Sequence, residues 1–588
     1  MSARVLRTLT TVAGCALLAG CVSMPTDGPV VEPQVSAESD DAPGISFDPP
    51  PPRAGDSATE IVEGFLEAMK ATPISTTVAR QFLSSEAADT WAPDEQIITY
   101  AEPGTASGEA FVRVPLTGIN IYDERGAWQR TQDERDLEMS LVQEDGELRI
   151  DSVPDALIVP DSWFDDQYQR SSLFYFNPTS EVLVAEPVFV PRGDQSASSL
   201  VRGLVTPPPV ELQDVVRTYF PAGTRDGLSV PIVSGIATVA LSGDPATVAE
   251  ETGGRMLAQL ALTLRQEQRV RAIQLSVGDR AITPPEGSSV GNLDAGDAFD
   301  PDGLRPDRQL YALEQGRVVS GTLGAFDPTL GPFGRGDRPL RTIGVSISGL
   351  DVAGVSADGT ELYLAPTEAP DGDVTTVVAG AVDLAAPAWD YRDRVWVLDR
   401  GRGRAQVDVV VDGVAGPVEV PGLTGRNVTR LLVSRDGTRL VAVVRGRTRD
   451  RVVSARIRHD EAGAILGFTP LTVLPLPEDL SPRIRDIGWR SPTSISVLAD
   501  VADANDPPAP TTATANSQVR TISVDGSPGE ITTGGQTRLR GRIRTLVSAP
   551  VEGSEVFGLG RGVAVSLALP ERTVPALPEG LTALTYVG

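Results

Sequence analysis

Val355-Ser356-Ala357-Asp358-Gly359-Thr360-Glu361-Leu362-Tyr363-Leu364 is echoed by Val433-Ser434-Arg435-Asp436-Gly437-Thr438-Arg439-Leu440-Val441-Ala442. Each copy reads as an apolar residue ending one strand, an Asp-Gly turn, and an apolar strand returning antiparallel. Weaker copies start at Ala312, Trp389, Trp489 and Ala549, at spacings of roughly 34 to 60 residues. Units of that length with several strands apiece are the signature of a β-propeller, and six copies predict about six blades over residues 309–588. The two widest gaps hold insertions, Arg-rich from Arg445 to Asp460 and Pro/Thr/Ala-rich from Ala502 to Ser517.

Upstream of the repeats, Glu286 to Arg308 is rich in Asp, Gly and Pro, and residues 289–308 are expected to be a linker. Residues 171–288 read as an α+β unit. Strands are predicted from Leu173 to Phe176 and from Leu183 to Val190, then a short helix that Pro207-Pro208-Pro209 must stop. A hairpin over 228–241 follows, then a helix striped by Met256, Leu257, Leu260 and Leu264, and a closing strand from Val270 to Val277. Residues 57–170 form a second α+β unit. It opens on the capping box Ser57-Ala58-Thr59-Glu60, with Ile61, Phe65, Leu66 and Met69 at helical spacing. Short helical pieces near 75–83 and 85–91 precede strands at 96–100, 111–115, 119–122, 136–143 and 148–153. That order loosely resembles the cone-shaped NTF2-like folds.

The N-terminus decides location. Arg4 and Arg7, an apolar run from Leu9 to Leu18, and Leu18-Ala19-Gly20-Cys21 make residues 1–20 a secretory signal peptide, too short to span a bilayer. Leu-Ala-Gly-Cys resembles the lipobox of bacterial lipoproteins, which implies cleavage between Gly20 and Cys21, with diacylglycerol on the Cys21 thiol and an acyl chain on its new amine. The only other cysteine, Cys15, lies in the discarded peptide, so Cys21 has no intramolecular disulfide partner. Residues 21–56, poor in large apolar side chains and ending in four prolines, read as a disordered tether. The expected location is the extracytoplasmic face of a cytoplasmic membrane.

The formal net charge of −28 argues against a nucleic-acid partner, and Lys70 is the only lysine. Hydrophobic residues make up 40% and aromatic residues 5%, a balance that suits Val- and Leu-rich sheets joined by Gly and Pro turns.

Together the lipobox, the Pro-rich tether, an N-terminal region containing Arg80-Gln81-Phe82-Leu83 and Ala87-Ala88-Asp89-Thr90-Trp91, a small central domain and a terminal propeller resemble the LpqB family of actinobacterial lipoproteins. Tyr219-Phe220-Pro221-Ala222-Gly223-Thr224 through Val270-Arg271-Ala272-Ile273 is similar to that family's GerMN domain. The resemblance implies two α+β domains followed by an all-β propeller. It also implies a role beside the Mtr two-component system, contacting the extracytoplasmic sensor domain of the histidine kinase and tuning its signalling, with envelope homeostasis and division downstream. The family carries no ascribed catalytic residues, so only Cys21 transfers.

The residues support no enzymatic chemistry, and neither cofactor nor metal is expected. His459 is the only histidine and reads as a solvated loop residue. No Gly-x-Ser-x-Gly elbow occurs, and Lys70 belongs to neither a P-loop nor a Ser-x-x-Lys motif. Asp294, Asp297, Asp300 and Asp302 tempt a calcium reading. An EF-hand register with Gly303 sixth, however, puts Ala298 first and Gln309 last, so the run reads as a solvated acidic linker. The Arg-rich stretch from Arg445 to Arg458 reads as a solvated loop, with an anionic lipid, a teichoic-type polymer or an acidic partner as its functional alternatives. A non-enzymatic interaction protein is the leading expectation; a glycan- or peptide-binding lipoprotein and a propeller hydrolase are the rivals.

Overall fold

The computed structural model describes residues 46–226, 229–283, 291–303, 308–336, 338–501, 517–528, 536–539, 541–551, 553–568 and 577–588. Gly20, Cys21 and most of the expected tether lie outside the described residues. The end of that tether is a correction. Phe47 and Thr72 exchange backbone hydrogen bonds of 3.0 and 2.9 Å, and the Gly55 N–H donates to Glu147 at 2.8 Å. Residues 46–56 therefore run along the N-terminal domain.

That domain opens on the helix Ala58–Ala68, and its capping box forms as the four residues require: Ser57 Oγ accepts from the Glu60 N–H and Glu60 Oε2 from the Ser57 N–H. Ile61, Val62, Phe65 and Leu66 bury the helix against a sheet in which strand Phe111–Asp123 lies between Gln96–Tyr100 and Trp128–Glu144. The segments expected at 111–115 and 119–122 are one continuous strand. Strand Leu157–Pro160, parallel to Gln96–Tyr100, and helix Asp161–Gln167 were not anticipated.

In the second domain a hairpin of Tyr168–Phe176 and Leu183–Pro191 packs with the helices Ser196–Val205 and Glu250–Arg265 and with a sheet whose central pair, Ile236–Ser242 and Ala272–Val277, is parallel. The expected linker belongs to this body. Gly291–Asn292 pairs with Ala272–Ile273, Phe299 meets Phe176 edge-on at 4.9 Å, and a Cβ on Gly296 would sit 1.8 Å from Leu262. The acidic run is not solvated as expected: Asp297 pairs with Arg265, and Asp302 with Arg435 at 2.7 Å.

Beyond residue 308 the chain forms six antiparallel sheets among the described residues. Five begin at Leu340, Ala388, Val428, Leu480 and Thr545; the remaining sheet combines strands within 310–328 with the C-terminal strand Leu581–Thr585. First strands of successive sheets touch, and Val547 shares a core with Leu584, so the two ends of the propeller meet. The repeats fall out of phase with the sheets. Ser434 and Asp436 close the turn between first and second strands, whereas Ser356 and Asp358 close the turn between second and third. Both turns use the same bonds: Asp436 Oδ1 accepts from Ser434 Oγ at 2.6 Å and from the Thr438 N–H at 2.8 Å, and Asp358 does the same with Ser356 and Thr360 at 2.6 and 3.1 Å. An Asp-Gly hairpin specifies a tight turn and carries no information about which hairpin it closes.

Candidate functional site

Alternation of strands along a four-stranded antiparallel sheet puts its first and third turns at one end and its second turn at the other. The second domain docks on the first-and-third-turn end of the third, fourth and fifth sheets. Asn177 Nδ2 donates to the Tyr391 hydroxyl at 2.7 Å, Thr179 Oγ1 lies 3.1 Å from the same oxygen, and burial pushes that phenol up to about 12. Arg217 pairs with Glu461 at 3.0 Å, and Arg170 donates to Ser523 and Ser527 at 2.6 and 2.8 Å while lying over the Phe189 ring.

Glu186 sits at the centre of this seam. It is 9% exposed on strand Leu183–Pro191, and its carboxylate accepts from Arg456 and, at 3.4 Å, from Arg439. Burial pushes the Glu186 carboxyl up, and the Arg456 guanidinium draws it back. Behind Tyr391, Asp390 is fully buried and accepts from Arg394 Nε at 2.7 Å and Trp396 Nε1 at 2.8 Å, which fixes the turn that meets Asn177. On the other side the N-terminal domain joins through Gly126. Its φ is +80°, its carbonyl accepts from the Phe189 N–H at 2.8 Å, and a Cβ there would lie 2.1 Å from the Phe189 carbonyl. Tyr122 and Phe164 stack beside Phe189.

Two expectations change here. His459 is 4% exposed within strand Arg451–His459, not solvated in a loop, and its backbone N–H donates to the Asp214 carbonyl at 2.8 Å. Burial and the Arg394 charge lower its pKa to about 4. The Arg-rich stretch is not one loop: residues 445–450 are a turn, and Arg456 and His459 belong to a strand that builds the seam. Nothing in a single charged run distinguishes those halves. Glu186, the residue the seam turns on, was hidden in an apolar strand; a lone acid among Val, Ala and Phe was the available signal. Among the described residues, no group of three or more His, Cys, Asp or Glu could hold a metal ion.

A cavity of about 250 Å³ lies where the three domains meet, lined by Arg125, Trp128, Glu186, Arg439 and Arg456 among others. A larger one, about 400 Å³, separates the first two domains near Arg125, Asp194 and Arg202.

Three family models match in the order of the domains. They are the lipoprotein LpqB N-terminal domain over residues 51–165, the sporulation and spore germination (Germane) domain over 172–283, and the lipoprotein LpqB beta-propeller domain over 316–539. The chain belongs to the LpqB family. A lipoprotein LpqB of Thermobifida fusca is 28% identical, over 84% of this chain and 87% of its own. LpqB of Streptomyces coelicolor is 28% identical over 83% and 85%, and that of Mycobacterium tuberculosis 26% over 82% and 84%. Among solved structures, a chain of the nidogen/laminin complex aligns with 47% of this chain and 97% of its own at 11% identity, with a TM-score of 0.33 that carries no inference. Among the described residues, no helix is long and apolar enough to cross a membrane.

Proposed function

We propose that this LpqB-family protein is a non-enzymatic accessory lipoprotein. It is held by lipid on Cys21 at the extracytoplasmic face of the cytoplasmic membrane, where it binds the sensor domain of an envelope histidine kinase of the Mtr kind and modulates its signalling. The observation that supports this reading is the domain order of a lipoprotein family, joined at one seam into a body that presents the outer surfaces of all three domains. The kinase itself rests on family likeness. In the same reading the six sheets are six blades of a closed propeller, and the N-terminal domain is a cone of the NTF2-like kind. Photocrosslinking in native membranes tests it. Capture of a sensor-kinase ectodomain is the expected result; repeated capture of other envelope proteins without any kinase would remove the partner.

The cavity of about 400 Å³ between the first two domains favours one second reading, a binding site for a small envelope glycan or peptide. A thermal shift produced by peptidoglycan fragments, and lost in Arg202→Ala, would support it.

A further inference from the structure

The propeller end opposite the seam carries an arginine surface. Arg400-Gly401-Arg402-Gly403-Arg404 and Arg445-Gly446-Arg447-Thr448-Arg449 occupy the same place in neighbouring sheets, the turn between second and third strands. Between them lies residue stretch 420–427 with Arg426, which leads from one sheet to the next. The three segments are stitched together. The Ala405 N–H donates to the Arg426 carbonyl at 2.7 Å, and the Arg445 N–H to the Asn427 carbonyl at 2.8 Å. Arg483 from the next sheet donates to the Gly446 and Arg447 carbonyls at 2.9 and 2.8 Å.

These segments hold no carboxylate, on a chain whose formal charge is −28. Asp450, buried beneath them, is already taken by Arg445 and Arg483. Arg402, Arg404, Arg426, Arg447 and Arg449 are exposed, and none forms an ion pair among the described residues.

We infer that this surface binds a polyanionic envelope polymer built on repeating phosphodiesters. Guanidinium forks match phosphate oxygens bidentately, and several on one surface suit a ligand that repeats its charge. Segments 400–405, 420–427 and 445–449 contain no aromatic side chain, so they offer neither the Trp and Tyr anchors frequent at the centre of protein interfaces nor the aromatic wedges that enter a bilayer. The surface also lies at the propeller end opposite the N-terminal domain. The chain enters the described structure at Ser46 on the N-terminal domain, and that domain reaches the propeller at the opposite end, where Trp128 lies over Gly526.

Binding of lipid-free poly(glycerol phosphate) to the purified full-length chain tests the inference. The affinity is expected to fall at least about tenfold between 50 and 200 mM salt. The triple variant R404Q/R426Q/R447Q is expected to bind at least about tenfold more weakly with an unchanged melting temperature, while R130Q on the N-terminal domain binds as wild type. Equal binding by wild type and the triple variant, no binding at all, or tighter binding to polyglutamate or to phosphatidylglycerol vesicles than to the polymer would overturn it.

Discussion

Glu186 and Arg456 lie 270 residues apart in the chain and share a charge-assisted hydrogen bond across the buried seam between the second domain and the propeller. The contact joins two domains whose cores are otherwise separate. Replacing Glu186 with Ala leaves Arg456 and Arg439 facing each other without a carboxylate. Breaking one side of a buried pair costs about 3–5 kcal/mol. Chemical unfolding of Glu186→Ala should show that loss, with the second domain and the propeller melting in separate steps.

Gly126 makes a second prediction at the other side of the seam. Gly126→Ala places a Cβ against the Phe189 carbonyl and forces a left-handed backbone on a residue that disfavours it. A destabilisation of more than about 1 kcal/mol is expected, measured as a lower melting temperature. Gly146, at φ +87° with open space around it, is the control for the backbone effect without the clash.

His459 sets a pH dependence. Its folded pKa of about 4 lies below the 6.5 of the free side chain, so between those values the unfolded chain binds the extra proton and stability rises with pH. The contribution is intact above about pH 6.5 and is lost as pH falls toward 4, by at most roughly 3 kcal/mol at about 1.4 kcal/mol per unit. His459→Gln should flatten the stability curve across that window in denaturant titrations at stepped pH.

The pieces legible from sequence were those written in local chemistry. Ser57 and Glu60 announce a helix start, and Ser-x-Asp-Gly-Thr announces a tight turn, because each motif satisfies its own backbone groups. Phase was not legible. The same turn closes two different hairpins, so the repeat located strands without saying where each sheet begins. The seam was hidden for a different reason. Glu186, Arg439 and Arg456 become partners only through a contact between distant segments, and Arg456 reads like its solvated neighbours until strand Arg451–His459 turns it inward. Burial of His459 is decided in the same way, by the Asp214 backbone of another domain.

The proposed lipid anchor yields a prediction at Cys21. Cys21→Ala should release the protein from the membrane fraction into the soluble extracytoplasmic fraction without changing its melting temperature, since in that proposal two or three acyl chains supply the hold and none of the three cores. Fractionation followed by immunodetection reads the outcome.

Glu186 and the Gly126–Phe189 contact tie the three domains into one body at one end of the propeller. Hydrogen exchange on the full chain, wild type against Glu186→Ala, is the decisive measurement. Strand Leu183–Pro191 and the propeller turns 390–394 and 459–463 should lose protection together in the variant. Protection unchanged in both turns, with exchange altered only beside residue 186, would contradict it.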